Sequence, residues 1–132
     1  MAQTISVKTS EHTSFVDITR EVAGQVPEGF DGVCHLFCQH TTAGLTINEN
    51  ADPDVVRDLK SELERLVPWD NSRFSHMEGN SAAHMKSSLM GPDLNVPVEN
   101  GRLMLGTWQS IYFCEFDGPR SRRVAMQLLP TQ

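Results

Sequence analysis

Three histidines occupy positions at which an imidazole could do chemistry. His40 ends an apolar run that is typical of a buried strand, His76 lies in a long segment without periodicity, and His84 lies in a short helical pattern. Three imidazoles that leave one coordination position open form a known catalytic zinc arrangement. The residue types therefore predict a divalent metal site, with zinc preferred over magnesium. Their spacing also leaves open that each is an ordinary hydrogen-bonded or surface histidine, because a compact signature such as HExxH is absent.

Two carboxylates follow His40 in the sequence. Asp52 directly precedes Pro53, which favours a structural task as the N-cap of a helix. Glu49 has no such task, and on the apolar side of a predicted strand end it requires a cation or a donor. We expect Glu49 to act as a general base on a metal-bound water or to orient a ligand imidazole. Its neighbour Asn48 would add a polar contact to a substrate.

The segment Gly-Thr-Trp-Gln at 106–109 interrupts an otherwise apolar stretch that predicts a strand over residues 103–116. A glycine inside a strand often marks a bulge or a close approach of two backbones. Trp108 can pack in the core, or it can form a pocket wall on which a flat ring stacks. On the second interpretation, Trp108 and Gln109 contact the substrate.

Three arginines cluster within residues 120–123. A guanidinium binds phosphate through paired hydrogen bonds, so Arg120 is a candidate substrate contact, from its own subunit or from a neighbouring one. A solvated hairpin end, with the arginines paired to Asp117 and Glu115, is an equally open interpretation.

The hydrophobic pattern predicts the elements that would position these residues. Alternating apolar residues indicate strands, and helical spacing after Asp17, Asp52 and Ser81 indicates three helices. The predicted helices cover residues 18–26, the stretch between Asp52 and Pro68, and residues 82–90. The predicted strands cover residues 4–9, 33–39, 45–47, 94–98, 103–116 with a break or bend at Gly106, and 124–129, and Phe15 and Val16 indicate the end of a further strand. We therefore predict an α+β fold, with one domain over residues 1–132 and helices on one face of a largely antiparallel sheet.

Composition narrows the class of protein. The net charge is −6 and the sequence pI is about 5.2, which argues against a basic surface for nucleic acid or an anionic membrane. No apolar run approaches the ~20 residues of a membrane span, and residues 1–10 lack the core of a signal peptide. We therefore expect a cytoplasmic location, where the environment is reducing. The three cysteines, which cannot all pair within the chain, are then expected to be free thiols.

Five runs of the sequence stand out together, namely HTTAGLTINENADP at 40–53, EGN at 78–80, AH at 83–84, SSLMG at 87–91 and GTWQ at 106–109. They resemble the YjbQ family, whose members are often named secondary thiamine-phosphate synthase enzymes. The resemblance covers nearly the whole chain. It implies a homotrimer, and it implies that His40, His76 and His84 meet at a zinc ion near Asn48 and Glu49. It also implies a secondary activity that joins a thiazole phosphate and an aminopyrimidine diphosphate into thiamine phosphate.

These observations predict a metal-dependent enzyme that acts on a small phosphorylated or heterocyclic substrate. A diphosphate substrate usually calls for magnesium held by carboxylates, whereas histidine-bound zinc activates water or polarises a phosphoryl group. Metal-dependent hydrolysis is thus predicted as readily as thiamine-phosphate synthesis. The alternative is a ligand-binding or assembly module without turnover, whose metal is structural or absent.

Overall fold

Two antiparallel sheets share one hydrophobic core. The computed structural model describes residues 2–131 of the chain. The larger sheet has the strand order β1-β8-β3-β5-β6, and the smaller one has the order β2-β7-β4. In chain order the elements are β1 Gln3–Lys8, β2 Ser14–Asp17, α1 Thr19–Ala23, β3 Gly32–Cys38, β4 Ala43–Glu49, α2 Pro53–Leu66, α3 Ser81–Met90, β5 Asp93–Glu99, β6 Arg102–Leu103, β7 Gln109–Glu115 and β8 Ser121–Pro130. The predicted α+β class with antiparallel strands is confirmed, in a single compact domain with two sheets.

Strand β7 carries both hydrophobic clusters, because its side chains alternate between two buried faces. Ile111 and Phe113 point into the core between the sheets, where they join Leu36 of β3 and Met126 of β8. Tyr112 and Cys114 point to the opposite face, onto which α2 and α3 pack. Helices α2 and α3 thus lie on the outer face of the smaller sheet, whereas Val22 of α1 packs into the core between the sheets.

Helix α2 begins as the sequence predicts. The Asp52 side chain accepts a hydrogen bond from the Asp54 amide at 2.9 Å, and Pro53 takes the first helical position, where its missing N–H costs nothing. Leu63 is buried under the helix, whereas Leu66, which helical spacing places in the same stripe, is exposed. Among residues 2–131, no helix is both long and apolar enough to cross a lipid bilayer.

The structure refines the sequence-based boundaries. The strand predicted over 103–116 with a break or bend at Gly106 is divided there into β6 and β7 by a turn, which the Gln109 side chain closes by accepting the Gly106 amide at 2.8 Å. Helix α1 covers only Thr19–Ala23 and not 18–26. The Asp17 carboxylate accepts the Thr19 amide at 3.0 Å at its start, and after Ala23 the chain continues in tighter turns, in which the Gln25 and Val26 amides donate to carbonyls three residues earlier.

Candidate functional site

A polar pocket opens where the start of β4, the start of α3 and the β7–β8 turn meet. Its volume is about 290 Å³. It is lined by side chains that donate or accept hydrogen bonds, namely residues 39–42, Glu78, Asn80, His84, Arg120 and Arg122. We call this cavity the polar pocket. It brings together His40, His84 and Arg120, three of the residues that the sequence singled out.

Arg122 forms the floor of the polar pocket. It is in phase with Val124 and Met126 on β8, so it points inward between the sheets and is only 7% exposed. Its Nε donates to Glu115 Oε1 at 2.7 Å, and its Nη2 donates to Glu115 Oε2 and to Thr42 Oγ1. Within residues 2–131 its Nη1 makes no hydrogen bond, so two N–H donors of a residue that lines the pocket have no protein partner.

Glu115 holds Arg122 in this position. Its side chain is fully buried and also accepts a hydrogen bond from Thr9 Oγ1 at 2.8 Å. Burial raises the pKa of this carboxyl, but the hydrogen bonds from Arg122, the Asp117 amide and Thr9 outweigh it, so the pKa lies below its usual value. The carboxylate is therefore charged at neutral pH and compensates the buried guanidinium.

Arg120 approaches the pocket from the β7–β8 turn. Its Nε donates to the Asp117 carbonyl at 2.8 Å, and its Nη2 donates to Asp117 Oδ2 at 3.0 Å. The same carboxylate oxygen accepts a hydrogen bond from Asn80 Nδ2 at 2.9 Å, which ties the turn to the start of α3. Asn80 Oδ1 is buried and has no partner within the described part of the chain. A donor on a bound molecule or a water would offset the ~1–3 kcal/mol cost of such an acceptor.

His40 is fixed in one tautomer. Its Nε2 accepts a hydrogen bond from the Arg123 amide at 2.9 Å, so the single lone pair of the neutral ring is used and Nδ1 carries the proton. Burial, and then the positive charge of Arg122, lower the pKa of His40 below its usual value. His40 therefore enters the pocket wall as a neutral hydrogen-bond donor.

We expect stability to fall as the pH drops through the range in which His40 gains a proton. Because its folded pKa is lowered, the unfolded chain binds a proton first, and the contribution present above pH ~6.5 is lost as the pH falls toward the folded pKa. Urea unfolding of the wild type and of His40→Gln between about pH 7.5 and 5.5 measures this, since that range spans the usual histidine pKa. The glutamine keeps an acceptor for the Arg123 amide but does not titrate, so its slope against pH should be shallower. Equal slopes of stability against pH in the two proteins would contradict a lowered pKa of His40 in the folded state.

Helix α3 packs unusually close to β4, and this contact positions His84. A Cβ atom at Gly44 would lie 2.9 Å from both the Gly91 carbonyl oxygen and Met90 Cβ, so only glycine allows the approach. Ser87 Oγ then donates to the Thr41 carbonyl oxygen at 2.7 Å. These contacts place His84 across the pocket from the segment that carries His40.

His84 is the side chain at which several cavities meet. Besides the polar pocket it lines a cavity of about 360 Å³ together with His40, Thr41 and Ser88. Its ring lies 5.4 Å from the ring of His76, centroid to centroid, and is nearly perpendicular to it. Neither ring nitrogen of His84 makes a hydrogen bond to another part of the described chain. The ring is therefore available for proton transfer or for ligation.

The three predicted metal ligands are not all brought together. His76 and His84 are adjacent, and Glu78 Oε1 lies 3.9 Å from His76 Nε2. His40 fits a shared ion poorly, since the lone pair that a metal would require is occupied by the Arg123 amide. Across residues 2–131 the side chains form no cluster of three or more His, Cys, Asp or Glu suited to a metal ion. We therefore derive no chemical step through zinc, and zinc binding stays a prediction.

The other predicted site residues lie at the far end of the smaller sheet. Glu49 pairs with Gln109 at one end of the β4–β7 ladder, whereas Ala43 pairs with Glu115 at the other end. The strand between them separates the two ends by about 20 Å, at roughly 3.3 Å per residue. In one subunit Glu49 is therefore not beside His40, and Asn48 lies away from the polar pocket with it.

The GTWQ segment lies at that same far end. Trp108 is 62% exposed, so it does not pack in the core. The Gln109 side chain is engaged in closing its own turn, where its Oε1 accepts the Gly106 amide. A role of Trp108 or Gln109 in substrate contact would thus belong to a surface apart from the polar pocket of the same subunit.

Sequence reasoning missed the burial of the pair behind the pocket. It expected the arginines to pair with Asp117 and Glu115 only at a solvated hairpin end, whereas Arg122 and Glu115 pair inside the protein. Thr42 and Asn80 lay in the runs that resemble the family but were given no role. The alternation on β8 was a usable clue, because Arg122 falls in phase with the apolar residues of its strand. The three cysteines are buried free thiols, and burial raises the pKa of Cys34 to about 11, which makes it a poor nucleophile.

Comparison with known proteins places this chain in a family. A family model described as UPF0047 protein YjbQ-like matches residues 3–131. UPF0047 protein YugU of Bacillus subtilis is 51% identical over 131 residues, covering 98% of this chain and 99% of its own. UPF0047 protein MJ1081 of Methanocaldococcus jannaschii is 45% identical over 125 residues, covering 93% and 90%. The chain belongs to the UPF0047 YjbQ-like family.

Solved structures agree with this assignment. An uncharacterized conserved protein of the same family from Clostridium acetobutylicum has a TM-score of 0.92 and 51% identity, and the alignment covers 96% of this chain and 99% of that one. A conserved hypothetical protein from Thermus thermophilus also has a TM-score of 0.92, with 46% identity and the same coverage. The family is therefore confirmed. The names of these relatives describe no activity.

Proposed function

We propose that this protein is an enzyme that binds a small phosphorylated molecule in the polar pocket. The guanidinium groups of Arg122 and Arg120 hold the phosphoryl oxygens, and His40 donates a further hydrogen bond through Nδ1. His84 carries a proton to or from the reacting group. The reaction class is acid–base-assisted transfer or hydrolysis at a phosphate ester.

The observation that carries this proposal is the state of Arg122. Burying a guanidinium is costly, and replacing a buried ion pair by apolar side chains is often neutral or stabilising. A pair retained only for the fold would have its donors used within the protein. Within the described residues, Arg122 instead keeps Nη1 without a protein partner at the wall of a cavity. Such donors suit the planar pair of oxygens that a phosphate offers.

The local charge balance indicates that a cation accompanies the phosphate. Arg122 and Arg120 are compensated by Glu115 and Asp117, and Glu78 adds a third carboxylate at the rim. The protein alone thus supplies donors without surplus positive charge. A proton on His84 would supply the missing charge. A divalent ion, zinc in the prediction made from the three histidines, would supply it as well, and the adjacent imidazoles of His76 and His84 would be the residues to hold it.

His84 is the proposed acid–base group because it is the pocket imidazole that remains uncommitted. His40 is held by the Arg123 amide and is biased toward its neutral form, so it orients a ligand and does not exchange protons readily. His84 lies opposite, with both ring nitrogens available. General acid–base groups are most often histidines within hydrogen-bond reach of the reacting atom.

Several finer expectations join this proposal. The secondary thiamine-phosphate synthase activity would place the phosphate and diphosphate groups of its substrates in the same pocket, but it joins the two precursors by displacing diphosphate from carbon, so it is not a reaction at phosphorus. We further propose a homotrimer in the cytoplasm, with partners limited to its own copies and a small-molecule substrate, and without nucleic acid or membrane. The alternative, a ligand-binding module without turnover, would use the same pocket. It differs from the enzyme in that it would bind the phosphorylated molecule without converting it.

Titration calorimetry with methyl phosphate, with and without added zinc chloride, tests the binding step. We expect saturable one-site binding that weakens about tenfold or more in Arg120→Gln, as loss of a charged hydrogen bond implies. Arg102→Gln is the matched control, since Arg102 is an exposed arginine of β6 remote from the pocket. Equal affinity in wild type and Arg120→Gln, or equal losses in both variants, would contradict the assignment of the phosphate to this pocket.

A further inference from the structure

An apolar groove adjoins the polar pocket along α3. Its volume is about 410 Å³, and it is lined by Val67 from the end of α2 and by His84, Met85, Ser88 and Leu89 from α3. We call it the apolar groove. His84 lines both cavities, so the apolar groove and the polar pocket meet at one imidazole.

The groove exposes large apolar side chains that the core does not use. Met85 is 48% exposed and Leu89 is 60% exposed. They are four residues apart on a helix, which places them one above the other in a stripe beside His84 and Ser88. Two adjacent exposed apolar residues next to a polar site form a surface that gains free energy when it is covered.

We infer that the apolar groove binds the organic part of the phosphorylated ligand, and that this part is an apolar or aromatic group attached directly to the phosphate. This inference rests on the proposed function, since it takes the phosphoryl group to lie in the polar pocket. The shared His84 provides the continuity, because one ligand can contact it from both sides. Small-molecule sites commonly combine a largely apolar wall with a few convergent polar groups.

A second copy of the chain is the rival occupant of the groove. A ligand is the better explanation of the groove than a second copy, because His84 keeps both ring nitrogens available at the boundary between the two cavities. A protein contact over Met85 and Leu89 would cover the apolar stripe but leave the adjoining polar pocket unused, whereas a ligand that extends from the pocket occupies both cavities and brings its reacting bond to His84. The cavity volume also suits a small organic group.

The test compares methyl phosphate with phenyl phosphate, which carry the same head group and differ in apolar area. Calorimetry should show phenyl phosphate binding the wild type about tenfold or more tightly than methyl phosphate, as expected for a partly buried ring. In Met85→Ser/Leu89→Ser that gain should disappear, while methyl phosphate affinity stays within about twofold. Met104→Ser is the control, because Met104 is an exposed methionine outside the groove, and it should keep both affinities.

Each outcome decides a separate claim. If methyl phosphate binds but phenyl phosphate gains nothing, the groove inference is overturned and the proposed function stands. If neither compound binds, the proposed function is overturned, and the inference fails with it. If the double variant changes the sedimentation mass of the protein and leaves the phenyl gain intact, the groove is a contact between copies and the inference is wrong.

Discussion

Removal of the Glu115 carboxylate is expected to lower the free energy of unfolding by about 3–5 kcal/mol, because Glu115→Ala leaves the buried Arg122 guanidinium without its compensating charge. Glu115 is fully buried, and it accepts hydrogen bonds from Arg122 and from Thr9. Urea denaturation of the purified variant measures the loss. Glu62→Ala is the control, since Glu62 pairs with Arg65 on the exposed face of α2, where solvent screens the pair, and its removal should change stability far less.

Replacing both partners separates the structural role of the pair from its functional role. Glu115→Leu/Arg122→Met removes both charges and keeps the volume apolar, so we expect it to recover most of the stability lost in Glu115→Ala. It should nevertheless fail to bind methyl phosphate, because the Nη1 donors are gone. A double variant that is folded and binds methyl phosphate normally would show that Arg122 does not hold the phosphoryl group. A loss of only a few tenths of a kcal/mol in Glu115→Ala would contradict the buried ion pair itself.

The second large effect concerns turnover. His84→Ala is expected to lower kcat/KM by about 10²–10⁴-fold, the usual contribution of a positioned acid–base group. Hydrolysis of phenyl phosphate and formation of thiamine phosphate from its two precursors are the assays. Methyl phosphate affinity measured at about pH 8, where histidines are mostly neutral, should change by less than about threefold, since the guanidinium groups remain. Wild-type activity retained in His84→Ala would remove His84 from the mechanism.

His76→Ala distinguishes a proton-transfer role of His84 from a metal-ligand role. His76 lies beside His84 but does not line the polar pocket. If His84 acts through proton transfer, His76→Ala should keep activity within severalfold of the wild type. If His76 and His84 hold zinc, both variants should lose activity together, and elemental analysis of protein purified without chelators should show one metal per chain in the wild type and none in either variant.

Local chemistry made much of the fold predictable from sequence. The alternation of Cys34, Leu36 and Cys38 identified β3, and Asp52 with Pro53 identified the start of α2, because each signal depends on neighbouring residues alone. The division into two sheets was not predictable in this way. It depends on β7 having two buried faces, and a continuous apolar run does not reveal which of its residues face which layer.

The site was predictable only in part for the same reason. His40, His84 and Arg120 were singled out by type and position, and they do line one pocket. The expectation that Glu49 stands beside the histidines failed within one subunit, because closeness in sequence along β4 becomes distance when the strand is extended. The burial of Glu115 was not predictable, because a carboxylate can be buried here only with the compensating charge of Arg122, which the opposite sheet supplies.

Amide chemical-shift mapping of the full chain with methyl phosphate would locate the phosphate site directly. We predict that the perturbed amides fall at residues 40–42, 80–84 and 120–123, which surround the polar pocket. The structure offers a competing cavity of about 570 Å³ at Asp17, Thr19 and Arg20, on a different part of the surface. Perturbations centred on that second cavity, or scattered over the surface without saturation, would contradict the placement of a phosphoryl group against Arg122.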